Sequence, residues 1–286
     1  GPQPTHNKIT GLSDVGGLAM GDALTSFDKA AFASYGLQQG ANAAMSETIV
    51  KTYTTALNDL LRRRSYRLAG VKIVYWYRHR IAEDDDVFAE ALQGFGNAPA
   101  DDEHDRPAEV DSARDRSRAE SRAKRLLDAI RSGQRPDLAG LQYYALSLSG
   151  NSGRVVVRDW MEGSFESLAE AIDAWFGDLA IVRRDGRDVV NSHKFAAVLA
   201  APLRDLKDAA PPLVASMWRC AMKRQPVPHQ VMAQTLNRVR VDIIQNEAAR
   251  HARIGLLKAF CNRNGGTPKM NASLNDHETN SAYLCG

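Results

Sequence analysis

The chain has 286 residues, 44% of them apolar and 25% charged, with a formal net charge of +3. This is the balance of a folded chain rather than a disordered one, long enough for one large domain or two ordinary ones. No apolar run approaches the roughly 20 residues that a bilayer span needs, and no basic flank leads into an apolar stretch at the start, so a cytoplasmic location is expected.

Residues 1–45 are rich in glycine and small polar residues, with scattered apolar anchors at Ile9, Leu12, Phe27, Phe32 and Tyr35. They read as a loop-rich entry segment draped over something larger. Gly1-Pro2 resembles the remnant of a tag-removing protease, so a natural start upstream is expected. A helix follows, with Ser46 as N-cap, Glu47 in its first turn, Ile49, Val50, Tyr53, Leu57, Leu60 and Leu61 on one face, and Arg62-Arg63-Arg64 at its negative C-terminal pole.

Val71 to Tyr77 is β-branched and aromatic, hence a strand. From Glu83 to Asp111 eleven acidic residues face Arg106 alone, and glycines and prolines interrupt the run. A solvated loop is expected there, with a short helix near Val87–Leu92. Ser117 to Arg131 predicts a solvated helix with a narrow stripe of Leu126, Leu127 and Ile130.

Tyr144 to Ser149, a turn at Gly150-Asn151-Ser152-Gly153, and Val155 to Trp160 predict a β-hairpin. Ser164 and Ser167 open a helix striped by Leu168, Ile172, Trp175 and Phe176, which Gly177 is expected to close. From Asn191 onward no strand is expected. Segments near 192–206, 212–223, 228–245 and 246–263 carry helical spacing, punctuated by Pro211, Pro212, Pro226 and Pro228. The fold class is α+β: a mixed domain over 46–190 with a β-hairpin or antiparallel sheet and helices, followed by an all-helical module over 191–286 with a polar tail.

The search for chemistry starts with what is missing. The sequence contains no GxxxxGK[ST] loop, no HExxH and no GxSxG elbow, and Cys220, Cys261 and Cys285 stand apart without CxxC spacing. Asp84-Asp85-Asp86 are consecutive, so their carboxylates diverge on a helix or a strand, and a solvated linker is the expected reading rather than a Mg²⁺ site. No catalytic residue, cofactor or metal is expected, and the chain is read as a non-enzyme.

Charge segregation is more informative. Between Pro211 and Arg263 nine bases meet only Asp242 and Glu247. Arg219 and Lys223 are four apart and Arg250 and Arg253 three apart, so each pair shares a helix face. Arg219, Lys223, Arg224, Arg238, Arg240, Arg250, Arg253 and Lys258 are the candidate phosphate contacts, because cations without acidic neighbours bind a nucleic-acid backbone by releasing its counterions. A basic surface kept for solubility, or one facing acidic protein, fits the same charges.

Tyr75-Trp76-Tyr77 before Arg78-His79-Arg80 has the interleaving of a base-stacking platform, although strand aromatics more often fill a core. Gln38, Gln39 and Asn42 carry amides able to meet base edges, and equally suit an ordinary loop.

Several runs resemble one family in order. Pro4 to Leu12, Ser26-Phe27-Asp28-Lys29-Ala30-Ala31-Phe32-Ala33-Ser34-Tyr35-Gly36, Asn42 to Ser46 and Tyr53-Thr54-Thr55-Ala56-Leu57-Asn58 are similar to elements of the large subunit of the type I-C CRISPR Cascade, a crRNA-guided surveillance complex. Tyr144 to Ser149 with Arg154 to Trp160 resembles its hairpin, and Asn271 to Tyr283 a later element. Asp28 and Ala44-Met45 depart from that pattern. The resemblance implies a non-catalytic subunit that binds double-stranded target DNA at the protospacer-adjacent motif, steadies the displaced single strand, and supports R-loop formation. It also implies assembly with the backbone and crRNA-end-binding subunits, and recruitment of a helicase-nuclease in antiviral defence. Family members are about twice as long, so the chain is expected to be a fragment lacking an N-terminal region and a C-terminal small-subunit-like bundle. An assembly protein whose basic face meets crRNA or partner subunits is the alternative.

Overall fold

The computed structural model describes residues 8–25, 27, 30–33, 36–37, 39–43, 45–93, 121–182, 189–190, 195–242 and 247–264. The architecture is α+β, as the sequence patterning predicts: a four-stranded antiparallel sheet with helices. It divides into two compact units, residues 1–76 with 144–162, and residues 77–143 with 163–286. The hairpin residues 144–162 belong to the first unit, and the chain on both sides of them to the second.

The first unit is built on the sheet, in the order β1 (Ser65–Leu68), β2 (Val71–Tyr77), β3 (Gln142–Asn151), β4 (Arg154–Ser164). Ser65 lies opposite Val74 and Leu68 opposite Val71. The hairpin between β3 and β4 turns on Ser152 and Gly153, both at positive φ, which matches the twist of paired strands. Helix α1 (Glu47–Arg63) starts where Ser46 accepts a hydrogen bond from the Ile49 amide, and its Leu57 and Leu61 meet Val74 and Leu148 in the core. Ile49 falls off this face and is exposed, while Thr54 is buried on it.

The entry segment is more than a drape. Ile9, Leu12 and Val15 sit in the same core cluster, and each such buried side chain stabilises by about 1.5–3 kcal/mol relative to exposure. Lys72 pins the segment by donating to the Gly11 carbonyl at 2.7 Å and pairing with Asp14 at 2.9 Å. The Ala23 amide donates to the Gly153 carbonyl and the Val155 amide to the Ala23 carbonyl, tying the segment to β4. Gly16 and Gly17 pass so close to Gly150 that a Cβ on Gly150 would lie 2.1 Å from the Gly17 nitrogen.

The second unit is mainly helical: α2 (Val87–Gln93), α3 (residues 121–131), α4 (Phe165–Leu179), α5 (Phe195–Ala200), α6 (Pro211–Lys223), α7 (His229–Asp242) and α8 (Glu247–Asn264). Helix α4 packs against α6 and α8, and α7 against α8. A string of rings runs through the core, Tyr143 to Phe88 to Trp218 to Phe195 to Trp175, with successive centroids 5.5–5.9 Å apart. Such pairs add about 0.5–1.5 kcal/mol each beyond area burial.

Two local expectations change. Gly177 does not end α4, which continues to Leu179, and a two-stranded pairing of β5 (Ile181–Val182) with β6 (Val189–Val190) follows it. Asp84 to Asp86 is an ordered turn rather than a solvated linker. Asp85 takes both terminal guanidinium nitrogens of Arg135 at 2.7–2.8 Å, Asp86 accepts from the Tyr77 hydroxyl and caps the Ala89 amide, and Asp84 stays exposed. Asp85 and Asp86 thus serve separate structural partners.

Candidate nucleic-acid interface

Helix α6 begins with prolines at its first positions, where no backbone donor is lost, and buries Val214, Met217, Trp218, Ala221 and Met222. That stripe leaves Lys223 and Arg224 exposed at the C-terminal end, with Arg219 one turn back and half-buried. Arg224 is the left-handed residue that stops the helix, at φ 52°. No acidic residue lies in α6, and Asp242 is the sole acid of α7. Helix α7 carries Arg240 exposed near its end and Arg238 half-buried, beside the exposed apolar side chains of Leu236 and Val241.

Helix α8 behaves differently. Arg253 is 6% exposed and its Nε donates to the Ala201 carbonyl at 3.2 Å. Lys258 is 5% exposed, and its Nζ donates to the carbonyls of Gly177 and Ala180 at 3.1 and 2.7 Å. The ammonium thereby caps the end of α4, completing orphan carbonyls and meeting the negative pole of the helix. Burial holds its pKa below the ordinary lysine value. Arg263 also points inward: its Nε reaches Asp178 at 2.7 Å, a terminal nitrogen donates to the Cys220 carbonyl, and its guanidinium lies 4.9 Å from the centre of the Trp175 ring.

Of the eight bases singled out by charge, Arg253 and Lys258 are therefore corrected to internal roles, because both are buried and the Nε of Arg253 and the Nζ of Lys258 donate to backbone carbonyls. The Arg250 side chain lies outside the described residues. Lys223, Arg224 and Arg240 remain as exposed cations, with Arg219 and Arg238 partly accessible. Gln38 and the Gln39 side chain also lie outside the described residues, and Asn42 donates to the Leu37 carbonyl at 3.3 Å, a loop-closing role. Tyr75 and Tyr77 are core residues, whereas Trp76 is half-buried on the sheet surface. Cys220 is buried with its thiol on the Pro226 carbonyl, and burial pushes its pKa up to about 11.

A family model described as CRISPR-associated protein (Cas_Csd1) matches residues 3–286. The chain belongs to the Csd1 family. No curated protein matches it. Its role is accordingly CRISPR-associated, and the runs singled out in the sequence have visible work in the fold. Asn58, at the end of the Tyr53 to Asn58 run, accepts from the Thr10 amide at 2.9 Å and donates to the Lys8 carbonyl at 3.2 Å. One amide side chain thus fastens two of the sequence elements to each other. In the hairpin element, Arg158 Nε donates to the Ser149 hydroxyl at 2.7 Å. Among the described residues, no group of three or more His, Cys, Asp or Glu is placed to hold a metal ion, and no helix is long and apolar enough to cross a membrane.

Proposed function

We propose that this Csd1 chain acts as a non-catalytic large-subunit component of a type I-C surveillance complex, contacting target DNA near the protospacer-adjacent motif and along the displaced strand. The observation that carries this reading is the set of exposed cations at the end of α6 and on α7, two helices whose sole acid is Asp242: Lys223, Arg224 and Arg240. Cations in that setting gain affinity from counterion release whatever the base sequence, which suits a subunit that leaves sequence reading to RNA–DNA pairing. Protein contacts of this kind tip a near-balanced strand exchange toward the R-loop, and the same surface would then lie close to where a helicase-nuclease must load.

The test is charge reversal on the assembled complex. Lys223→Glu with Arg240→Glu should weaken target binding, and each lost phosphate contact should reduce the slope of log K against log salt by about 0.9. Unchanged affinity and slope would sink the reading. A second reading has its own support: Leu236 and Val241 are exposed beside Arg240, 40% and 70% accessible, as expected of a face that meets protein. Under that assembly reading the same variant fails to enter the complex, while pre-formed complex shows a normal salt slope.

A further inference from the structure

The first unit carries an aromatic cluster that neither the core nor the basic helices use. Trp76 stacks on Tyr144 with centroids 5.6 Å apart and 21° between planes. Trp160 closes on both, 5.7 Å from Trp76 and 5.9 Å from Tyr144. Three rings on three adjacent strands would ordinarily be buried. Here Trp160 is 45% exposed, and its indole N–H points to the Glu162 carboxylate at 3.3 Å, so the outer ring is held at the surface by its polar edge.

The position of the cluster follows from the register. Val74 packs under Leu57 and Leu61 of α1, and Trp76, two residues on, shares that sheet face about 7 Å further along. Helix α1 ends at Arg63, and the chain passes through Arg64 into β1 at Ser65, directly opposite Val74. The cluster therefore lies just past the C-terminal end of α1, where Arg62, Arg63 and Arg64 are all exposed. Asp59 occupies Arg62 and Arg63 at 2.7 and 2.8 Å. Arg64 follows as a further exposed cation.

An exposed aromatic ring with a cation near it is what a single nucleic-acid strand requires: a ring face for a base and a charge for a phosphate. We infer that Trp160, backed by Trp76 and Tyr144, is a stacking site for an unpaired base, with Arg64 on an adjoining phosphate. This deepens the DNA-binding reading above and rests on it, but it assigns a site in the other unit. Because every base has a π face, the site tolerates any sequence, as a displaced strand demands.

The experiment uses the full 286-residue chain, an oligothymidylate of about twelve nucleotides, and an abasic oligomer with the same phosphates. Of the four tryptophans, Trp175 and Trp218 are fully buried, so quenching by the oligomer reports on Trp76 and Trp160. The expected result is quenching together with roughly ten-fold tighter binding of oligothymidylate than of the abasic oligomer. Trp160→Leu should abolish that preference and leave abasic binding intact, and Trp160→Phe should restore part of it. Equal binding of the two oligomers, or a preference that survives Trp160→Leu, overturns the stacking site while leaving the charge-based reading standing. Binding of neither overturns both. If Trp160→Leu blocks entry into the surveillance complex and the two oligomers bind equally, the cluster is a protein contact instead.

Discussion

Replacing Arg263 separates an internal cation from a nucleic-acid contact. Its guanidinium is 5% exposed and pairs with Asp178, itself 12% exposed, at 2.7 Å. Asn262 supplies a second donor to that carboxylate at 3.3 Å. Arg263→Met keeps most of the stem volume but leaves Asp178 charged, buried and short of its main partner, and removes the cation over Trp175. Breaking one side of a buried pair costs about 3–5 kcal/mol, and loss of a desolvated cation–π contact falls within that range. At about 2–4 °C per kcal/mol for a unit of this size, the midpoint should drop by roughly 10 °C. Thermal and urea unfolding followed by circular dichroism, on Arg263→Met, Asp178→Asn and the double variant, measure the midpoint shift, the loss and the coupling. Asp178→Asn should relieve part of the damage, giving a coupling of about 2 kcal/mol. A single-variant loss under about 1 kcal/mol, or strict additivity, would refute the internal assignment. So would a normal midpoint with a weakened salt slope, the signature of a phosphate contact.

Lys258→Met removes the ammonium that caps α4. Because burial lowers its folded-state pKa, the unfolded chain holds that proton more tightly, so the buried charge costs stability at neutral pH. That cost fades as pH climbs from the depressed value toward 10.5, and urea midpoints should shift in favour of the wild type over Lys258→Met across that window. Gly150→Ala forces a Cβ into the backbone of Gly16 and Gly17 and should cost about 3 kcal/mol or more. Gly177→Ala is the opposite case: nothing lies within 4 Å of the added Cβ and the site is helical, so thermal melts should show a gain of about 0.5–1 kcal/mol.

What the sequence discloses and what it hides follow the reach of the forces involved. Helix α1 is legible because Ser46, Glu47 and the apolar spacing are all local, and the hairpin because Ser152-Gly153 turns between alternating runs. The continuation of α4 past Gly177 is not legible, since the group that caps it, Lys258, lies 81 residues away from Gly177. The entry segment hides its buried anchors for a similar reason: Ile9, Leu12 and Val15 follow neither period, and only the sheet they meet makes them core. Residues β5 and β6 are two apiece, too short for any periodic signal. The aromatic run Tyr75-Trp76-Tyr77 divides by strand alternation, and the exposure of the cluster depends on Tyr144 and Trp160, which lie on strands far along the chain.

The same distinction limits the inference from charge. Sequence alone counts nine cations between Pro211 and Arg263. Arg253, Lys258 and Arg263 are turned inward, each holding backbone carbonyls or a carboxylate. Six are then left as possible phosphate contacts, and the ceiling on the salt slope for this region falls from about 8 to about 5. A measured slope above that ceiling requires cations from elsewhere, such as the exposed arginines at the end of α1 in the first unit. The magnitude of the slope therefore distinguishes phosphate contacts confined to the helical surface from contacts that also draw on cations of the first unit.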